Sequence, residues 1–151
     1  MKGKARILLI DDDKNIRETL AVVLREEGYD VDMAETGKEA VAKTYANFYN
    51  LAIVDWRLPD VEGTKLITQL KETTPKMAKI MLTGFPSMNN AIEAVNLHAD
   101  AFLLKPVSVE ELLKKIRELL IQQEASDVFA EDKMVSFIET RTKQILEDKS
   151  P

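Results

Sequence analysis

Short apolar runs alternate along this chain with longer stretches in which apolar residues recur at helical spacing. The runs lie at residues 5–10, 30–34, 51–54, 79–82 and 101–104, and several are apolar almost throughout. Strands of this kind are typical of parallel sheets covered on both faces. The stretches between them have the three- and four-residue spacing of amphipathic helices. The pattern therefore predicts an α/β fold, (βα)5, with a five-stranded parallel sheet and helices on both faces.

Capping signals place several of the helix starts. Thr36 with Glu39, and Ser108 with Glu111, have the spacing of a capping box, in which side chains satisfy the free amides of the first turn. Ser87 is a candidate N-cap for the fourth helix. The fifth helix is predicted over residues 109–123.

The apolar pattern continues after the (βα)5 unit is complete. We therefore divide the chain into a first domain, residues 1–124, and a C-terminal helical extension, residues 125–151. Met134, Ile138 and Ile145 fall on one helical face, which predicts an extra amphipathic helix. The extension has four basic and six acidic residues, a net charge of -2, which does not suit a DNA-reading helix-turn-helix. Packing on the first domain, pairing with a second copy and the start of an output region all remain open.

Composition narrows the functional classes. The chain has 151 residues and a net charge of -5, so direct nucleic-acid binding is not expected. It has no cysteine, which excludes disulfides and thiolate metal sites. No apolar stretch predicts a secretion signal or a membrane span. We expect a cytoplasmic protein with no membrane partner.

The candidate functional residues lie directly after the predicted strands. In an open parallel sheet, ligands bind at the carboxyl ends of the strands. The first strand is followed by Asp11 and Asp12, the third by Asp55, the fourth by Thr83 and the fifth by Lys105. Three carboxylates, a hydroxyl and an ammonium group are therefore predicted to meet at one edge of the sheet.

These residue types point to metal-assisted phosphoryl transfer. Clustered carboxylates repel one another unless a cation lies between them, and an all-oxygen site suits Mg²⁺ or Mn²⁺. Asp55 could then attack phosphorus as a carboxylate nucleophile. Lys105 and Thr83 could bind phosphoryl oxygens. A simpler alternative is that Asp11 and Asp12 only cap the first helix.

Four motifs in register resemble the receiver domain of two-component response regulators. They are ILLIDDD at the first strand, VDWRLPDVEG at the third, IMLTG at the fourth and FLLKP at the fifth. The resemblance covers residues 4–123. It implies the strand order 2-1-3-4-5 and a phosphoacceptor signalling switch rather than an enzyme.

The resemblance also assigns roles within the acidic cluster. It implies that Asp55 is the phosphoacceptor and that Asp11 and Asp12 form the acidic pocket, with Asp12 the more direct ligand of Mg²⁺ (or Mn²⁺). The backbone carbonyl of Arg57 would complete the protein's share of the metal shell. The phosphoryl group would come from a sensor histidine kinase or a phosphotransfer protein.

A second group of residues is implied to read the phosphoryl group and pass on the signal. Thr83 and Lys105 would contact the phosphoryl group, and a cis peptide before Pro106 would aim the lysine inward. Thr83 and Phe102 would form the switch that remodels the surface of the fourth helix, fifth strand and fifth helix. A homodimer through this surface is also compatible with the resemblance.

Two other functions compete with the switch. A haloacid-dehalogenase-type phosphatase also forms an aspartyl phosphate, but it needs a second acid two residues after the nucleophile, where this chain has Arg57. A receiver-like scaffold that binds partners without being phosphorylated is disfavoured by the complete set of site residues. His98, the only histidine, is assigned no role.

Overall fold

The five predicted strands form one parallel sheet. The structure, a computed structural model, describes residues 4–84 and 99–148. Its strands are β1 (Arg6–Ile10), β2 (Asp30–Ala34), β3 (Leu51–Asp55), β4 (Ala78–Thr83) and β5 (Ala101–Leu104). Their order is β2-β1-β3-β4-β5, with every neighbouring pair parallel. Both the predicted strands and the order 2-1-3-4-5 are confirmed, with each strand boundary within one residue of its expected position.

Helices follow the strands as predicted. They are α1 (Lys14–Glu26), α2 (Gly37–Ala46), α3 (Gly63–Gln69) and a long helix, Val109–Asp148, here called the C-terminal helix. The predicted caps are present, since the hydroxyls of Thr36 and Ser108 accept hydrogen bonds from the amides of Glu39 and Glu111. The predicted fourth helix with its cap at Ser87, and also His98, lie outside the described residues.

The strand pleat sends alternate side chains into two apolar layers. Ile7 and Leu9 of β1 pack with α1 and the start of the C-terminal helix, while Leu8 and Ile10 pack with α2 and α3 on the other face. All four side chains are fully buried. This two-sided burial explains why the strand sequences are apolar runs rather than alternating patterns.

The C-terminal helix spans 40 residues without a break. The predicted helical extension is therefore present, but it continues the fifth helix instead of forming a separate one. No glycine or proline occurs between residues 109 and 148, so nothing in the sequence forces the helix to end near residue 123. The helix crosses the proposed domain boundary at residue 124, and that division stays a prediction. Within residues 4–84 and 99–148, no helix has both the length and the apolar character needed to cross a membrane.

Candidate functional site

The loop after β1 supplies two acids to the carboxyl edge of the sheet. Asp11 is fully buried, and its backbone amide donates to the carbonyl of Ala34 at the end of β2 (3.1 Å). Asp12 follows and is exposed. Asp13 is the N-cap of α1, because its carboxylate accepts hydrogen bonds from the amides of the first turn. The alternative in which Asp11 and Asp12 serve as that cap is therefore wrong.

Asp55 completes an acidic cluster at the centre of the sheet. It is the last residue of β3, and only 6 % of its surface is exposed. Carboxylate oxygens of Asp11, Asp12 and Asp55 lie within 4.8 Å of one another. The structure thus brings together the three acids that the strand ends predicted.

Lys105 lies between two of these acids. Its Nζ is 3.1 Å from Asp55 Oδ1 and 3.2 Å from Asp11 Oδ2. Its backbone amide donates to the carbonyl of Thr83 (2.7 Å), which fixes the end of β5 against the end of β4. The peptide bond between Lys105 and Pro106 is cis, as the family resemblance implied.

The cluster shifts the ionisation of its members. Burial and the charge of Asp11 raise the pKa of Asp55 to about 6, although Lys105 opposes this shift. Burial lowers the pKa of Lys105, but the two carboxylates outweigh that effect, so its pKa lies above the ordinary value. Lys105 is therefore positively charged at neutral pH, and Asp55 is a carboxylate that gains from a further cation.

The donor set fits a hard divalent cation. Lys105 supplies one positive charge against three carboxylates, so negative charge remains in excess at the cluster. The ligands available are oxygens, which Mg²⁺ and Mn²⁺ prefer. Because Asp12 is exposed, solvent can reach the cluster and complete a coordination shell.

The structure also describes the three other predicted site residues. Thr83 is buried and ends β4. Arg57 is exposed, and its amide lies 3.5 Å from Asp55 Oδ1. Phe102 is half-buried on β5, where it pairs in register with Met81. The metal-binding role of the Arg57 carbonyl and the switch roles of Thr83 and Phe102 stay predictions.

Arg17 is a site residue that the sequence pattern did not identify. It is buried on α1, where Nη1 donates to the backbone carbonyl of Asp11 (2.9 Å) and Nη2 to Glu35 Oε1 (3.1 Å). The guanidinium group thus holds the main chain that presents the acidic pocket. Its position could have been noticed in the sequence, because Arg17 is a charged residue on the same helical face as Leu20 and Leu24, which are both buried.

Substitution of Arg17 by methionine should weaken Mg²⁺ binding several-fold. The change leaves the buried carbonyl of Asp11 without this donor, a cost of about 1–3 kcal/mol, and releases the loop that carries Asp11 and Asp12. A Mg²⁺ titration followed by Trp56 fluorescence measures the effect. Arg25→Met is the matched control, because Arg25 donates to the carbonyl of Val31, away from the acids. Equal Mg²⁺ affinities for Arg17→Met and the wild type would contradict this role.

Two further positions, one in the loop after β3 and one at the start of α3, hold this part of the chain in place. Gly63 donates from its amide to the carbonyl of Trp56 (2.7 Å), and a Cβ at Gly63 would lie 2.3 Å from the backbone oxygen of Asp55. The carboxylate of Asp60 accepts hydrogen bonds from the amides of Gly37 and Lys38, which join this loop to the start of α2. Both residues lie within the VDWRLPDVEG motif.

The fold and the site together define a class of signalling domain. An open parallel sheet in the order 2-1-3-4-5, with an acidic cluster and a lysine at its carboxyl edge, is the CheY-like version of the flavodoxin fold. The sequence model of the response regulator receiver domain matches residues 7–117. The chain belongs to the receiver domain family of two-component response regulators.

Individual relatives agree with this assignment. The response regulator MprA of Mycolicibacterium vanbaalenii is 31 % identical over 132 residues, which cover 87 % of this chain and 57 % of MprA. The transcriptional regulatory protein PmrA of Pectobacterium parmentieri is 29 % identical over 146 residues, which cover 97 % of this chain and 66 % of PmrA. The aligned part of this chain thus spans between about half and two thirds of these relatives.

Solved structures give the same result. A CheY-like receiver domain protein from Methanospirillum hungatei is 42 % identical, with a TM-score of 0.78, and the match covers 82 % of this chain and 99 % of that one. The response regulator TrrA of Thermotoga maritima, solved in complex with Mg²⁺ and BeF, is 34 % identical, with a TM-score of 0.68 over 76 % of this chain and 98 % of TrrA.

Proposed function

We propose that this chain is a phosphorylation switch in which Asp55 accepts a phosphoryl group from a sensor histidine kinase or a phosphotransfer protein in the cytoplasm. The observation that carries the proposal is the position of Asp55. Its carboxylate lies within 4.8 Å of those of Asp11 and Asp12 and is 3.1 Å from the ammonium group of Lys105. Asp55 is thus available as a nucleophile. Lys105, together with a cation held by the acids, can offset the charge of an incoming phosphoryl dianion.

In the proposed reaction, a carboxylate oxygen of Asp55 attacks the phosphorus of a phosphohistidine. A new O–P bond forms, the P–N bond to the imidazole breaks, and the electron pair stays on the leaving nitrogen, which takes up a proton. Mg²⁺ (or Mn²⁺), held by Asp11, Asp12, Asp55 and the Arg57 carbonyl, would offset the negative charge of the incoming group. The requirement for Mg²⁺ finds support in the similar TrrA receiver, which was solved with this ion and BeF.

Lys105 and Thr83 would receive the new phosphoryl group. The ammonium group of Lys105 would exchange its contact with the Asp55 carboxylate for a contact with a phosphoryl oxygen. The Thr83 hydroxyl would donate a hydrogen bond to another phosphoryl oxygen. We infer that Thr83 and Phe102 then shift together and change the surface formed by β5 and the start of the C-terminal helix. The fourth helix, which the resemblance adds to this surface, lies outside the described residues.

A phosphodonor assay tests the proposal. With Mg²⁺ and acetyl phosphate, the intact mass of the wild type should increase by one phosphoryl group, and Asp55→Asn should gain none. Asp13→Asn is the matched control, because asparagine caps a helix as well as aspartate does, and it should still be phosphorylated. When acetyl phosphate is added to protein already saturated with Mg²⁺, the fluorescence of Trp56, next to the acceptor, should change further only in the variants that are phosphorylated.

Three outcomes of this assay would overturn the proposal. No added mass in the wild type would favour the unphosphorylated scaffold. Equal phosphorylation of Asp55→Asn would place the acceptor elsewhere. Continuous release of phosphate without an accumulating phosphoprotein would favour the aspartyl-phosphate hydrolase.

A further inference from the structure

The second half of the C-terminal helix exposes a long series of apolar side chains. Nine large apolar residues from position 121 onward are each at least 50 % exposed: Ile121, Val128, Phe129, Met134, Val135, Phe137, Ile138, Ile145 and Leu146. Every side chain described between residues 128 and 147 is exposed. Extended exposed apolar surfaces on soluble proteins mark interaction sites.

This segment lacks the packing that normally keeps a helix stable. Most helical stability in proteins comes from burial of an apolar face rather than from intrinsic propensity. The helix is buried through Leu112 and Ile116 where it covers the sheet, but not beyond residue 127. Within the part of the chain that the structure describes, these side chains stay at least half exposed, so a second surface is needed to bury them.

The spacing of the exposed residues indicates what covers them. Two sets of positions repeat every seven residues and are offset by three, which is the a and d pattern of a coiled coil. The a positions are Ile121, Val128, Val135 and Thr142, and the d positions are Glu124, Glu131, Ile138 and Ile145. Five of the nine exposed residues fall on this seam, whereas Phe129 and Phe137 lie off it.

We propose that the seam pairs with the same seam of a second copy of this chain, in antiparallel orientation. In a parallel pair in register, Glu124 and Glu131 would each face their own counterparts, and like charges at these positions repel. In the antiparallel pair, each a residue from Val128 onward faces a d residue. Val135 then packs against Ile138 of the second copy, and Val128 against Ile145.

The antiparallel register also gives the acidic seam residue a compatible neighbour. Glu131 faces Thr142 of the second copy, whose hydroxyl can donate a hydrogen bond to the carboxylate. The twofold axis passes between residues 136 and 137. At about 1.5 Å per residue, Leu120, which is 9 % exposed, lies roughly 25 Å from that axis, so the two receiver domains stand apart at opposite ends.

In this antiparallel register the paired seam runs from Val128 to Ile145, which is about 26 Å of helix. Each copy contributes Val128, Val135, Ile138 and Ile145 to the contact, and all four side chains are at least half exposed on the single chain. The interface does not involve Asp55 or Lys105. It therefore stands apart from the proposed phosphorylation, and failure of either proposal leaves the other intact.

The oligomeric state tests the pairing. Sedimentation equilibrium of the full chain, without phosphodonor, should show a dimer in the micromolar range. Ile138→Glu should be monomeric, with a dissociation constant raised at least a hundredfold. Phe137→Glu is the matched control, because it removes an equally exposed side chain from the neighbouring position off the seam, and it should remain dimeric. A monomeric wild type, or equal dissociation of both variants, would overturn the proposal.

Disulfide trapping tests the orientation. The chain has no cysteine, so single introduced thiols report only on the new positions. A mixture of Val128→Cys and Ile145→Cys chains should form a heterodimeric disulfide, whereas each variant alone should not cross-link. Cross-linking of Val128→Cys to itself would indicate a parallel pair and overturn the antiparallel register.

Discussion

Replacement of Gly63 by alanine should lower the free energy of unfolding by about 2 kcal/mol, because a methyl group has no room at this position. The added Cβ would lie 2.3 Å from the backbone oxygen of Asp55 and 2.8 Å from Cε of Met81. The methionine can move, but the oxygen belongs to the main chain of β3. The start of α3 or the end of β3 must therefore shift, and either shift moves the carboxylate of Asp55.

Gly84→Ala is the matched control for this prediction. Among the described residues, none lies within 4 Å of a Cβ built at Gly84, so the exchange adds the same methyl group without the contacts found at Gly63. Urea denaturation should show a lower midpoint for Gly63→Ala and a nearly unchanged midpoint for Gly84→Ala. Mg²⁺ titration should show weaker binding in the first variant only. Equal midpoints for the two variants would mean that α3 accommodates the methyl group without displacing β3.

The strands and the acidic edge were predictable from the sequence because both depend on local patterns. A strand buried on both faces is an apolar run, and the residue that ends it must lie at the carboxyl edge of a parallel sheet. Asp11, Asp55 and Lys105 could thus be brought together without knowledge of any side-chain position. The prediction of the strand order rested instead on the resemblance to the family, because the apolar runs alone do not determine which strands are neighbours in the sheet.

Other features depend on approaches between distant segments, which a linear pattern does not contain. The hydrogen bond from Arg17 to the carbonyl of Asp11 arises because α1 folds back over the end of β1. The need for glycine at position 63 arises because α3 begins against the main chain of Asp55. The length of the C-terminal helix shows a further limit. A complete (βα)5 unit suggested a break near residue 123, but no residue there ends a helix.

The acidic site therefore involves a compromise between stability and reactivity. Burial next to Asp11 is unfavourable for the charge on Asp55, yet the same surroundings would position the carboxylate for the proposed attack on phosphorus. Lys105 offsets part of this cost through its contacts with both acids. Removal of the charge of Asp55 should therefore abolish the proposed phosphorylation and stabilise the fold.

Asp55→Asn should accordingly raise the free energy of unfolding by an amount on the order of 2 kcal/mol at pH 7 without Mg²⁺. The pKa of Asp55 in the folded protein is about 6, raised from 3.8, so the folded state holds the proton more tightly than the unfolded state does. The stability that protonation of Asp55 provides is fully present below about pH 4 and is lost as the pH rises through 6. The advantage of asparagine should therefore be complete above pH 6 and should decrease between pH 6 and pH 4.

Urea denaturation of both proteins across this pH range measures the difference. Asp60→Asn is a control for which the change in unfolding free energy should have the opposite sign. The amides of Gly37 and Lys38 hold the pKa of Asp60 below its ordinary value. That substitution should destabilise the protein at pH 7, and its effect should fade as the pH falls and Asp60 becomes protonated. Mg²⁺ should stabilise the wild type more than Asp55→Asn, since the proposed metal site loses one carboxylate, and should reduce the difference in unfolding free energy between the two proteins. A wild type that is as stable as Asp55→Asn at pH 7 without Mg²⁺ would show that Lys105 already compensates the charge in full.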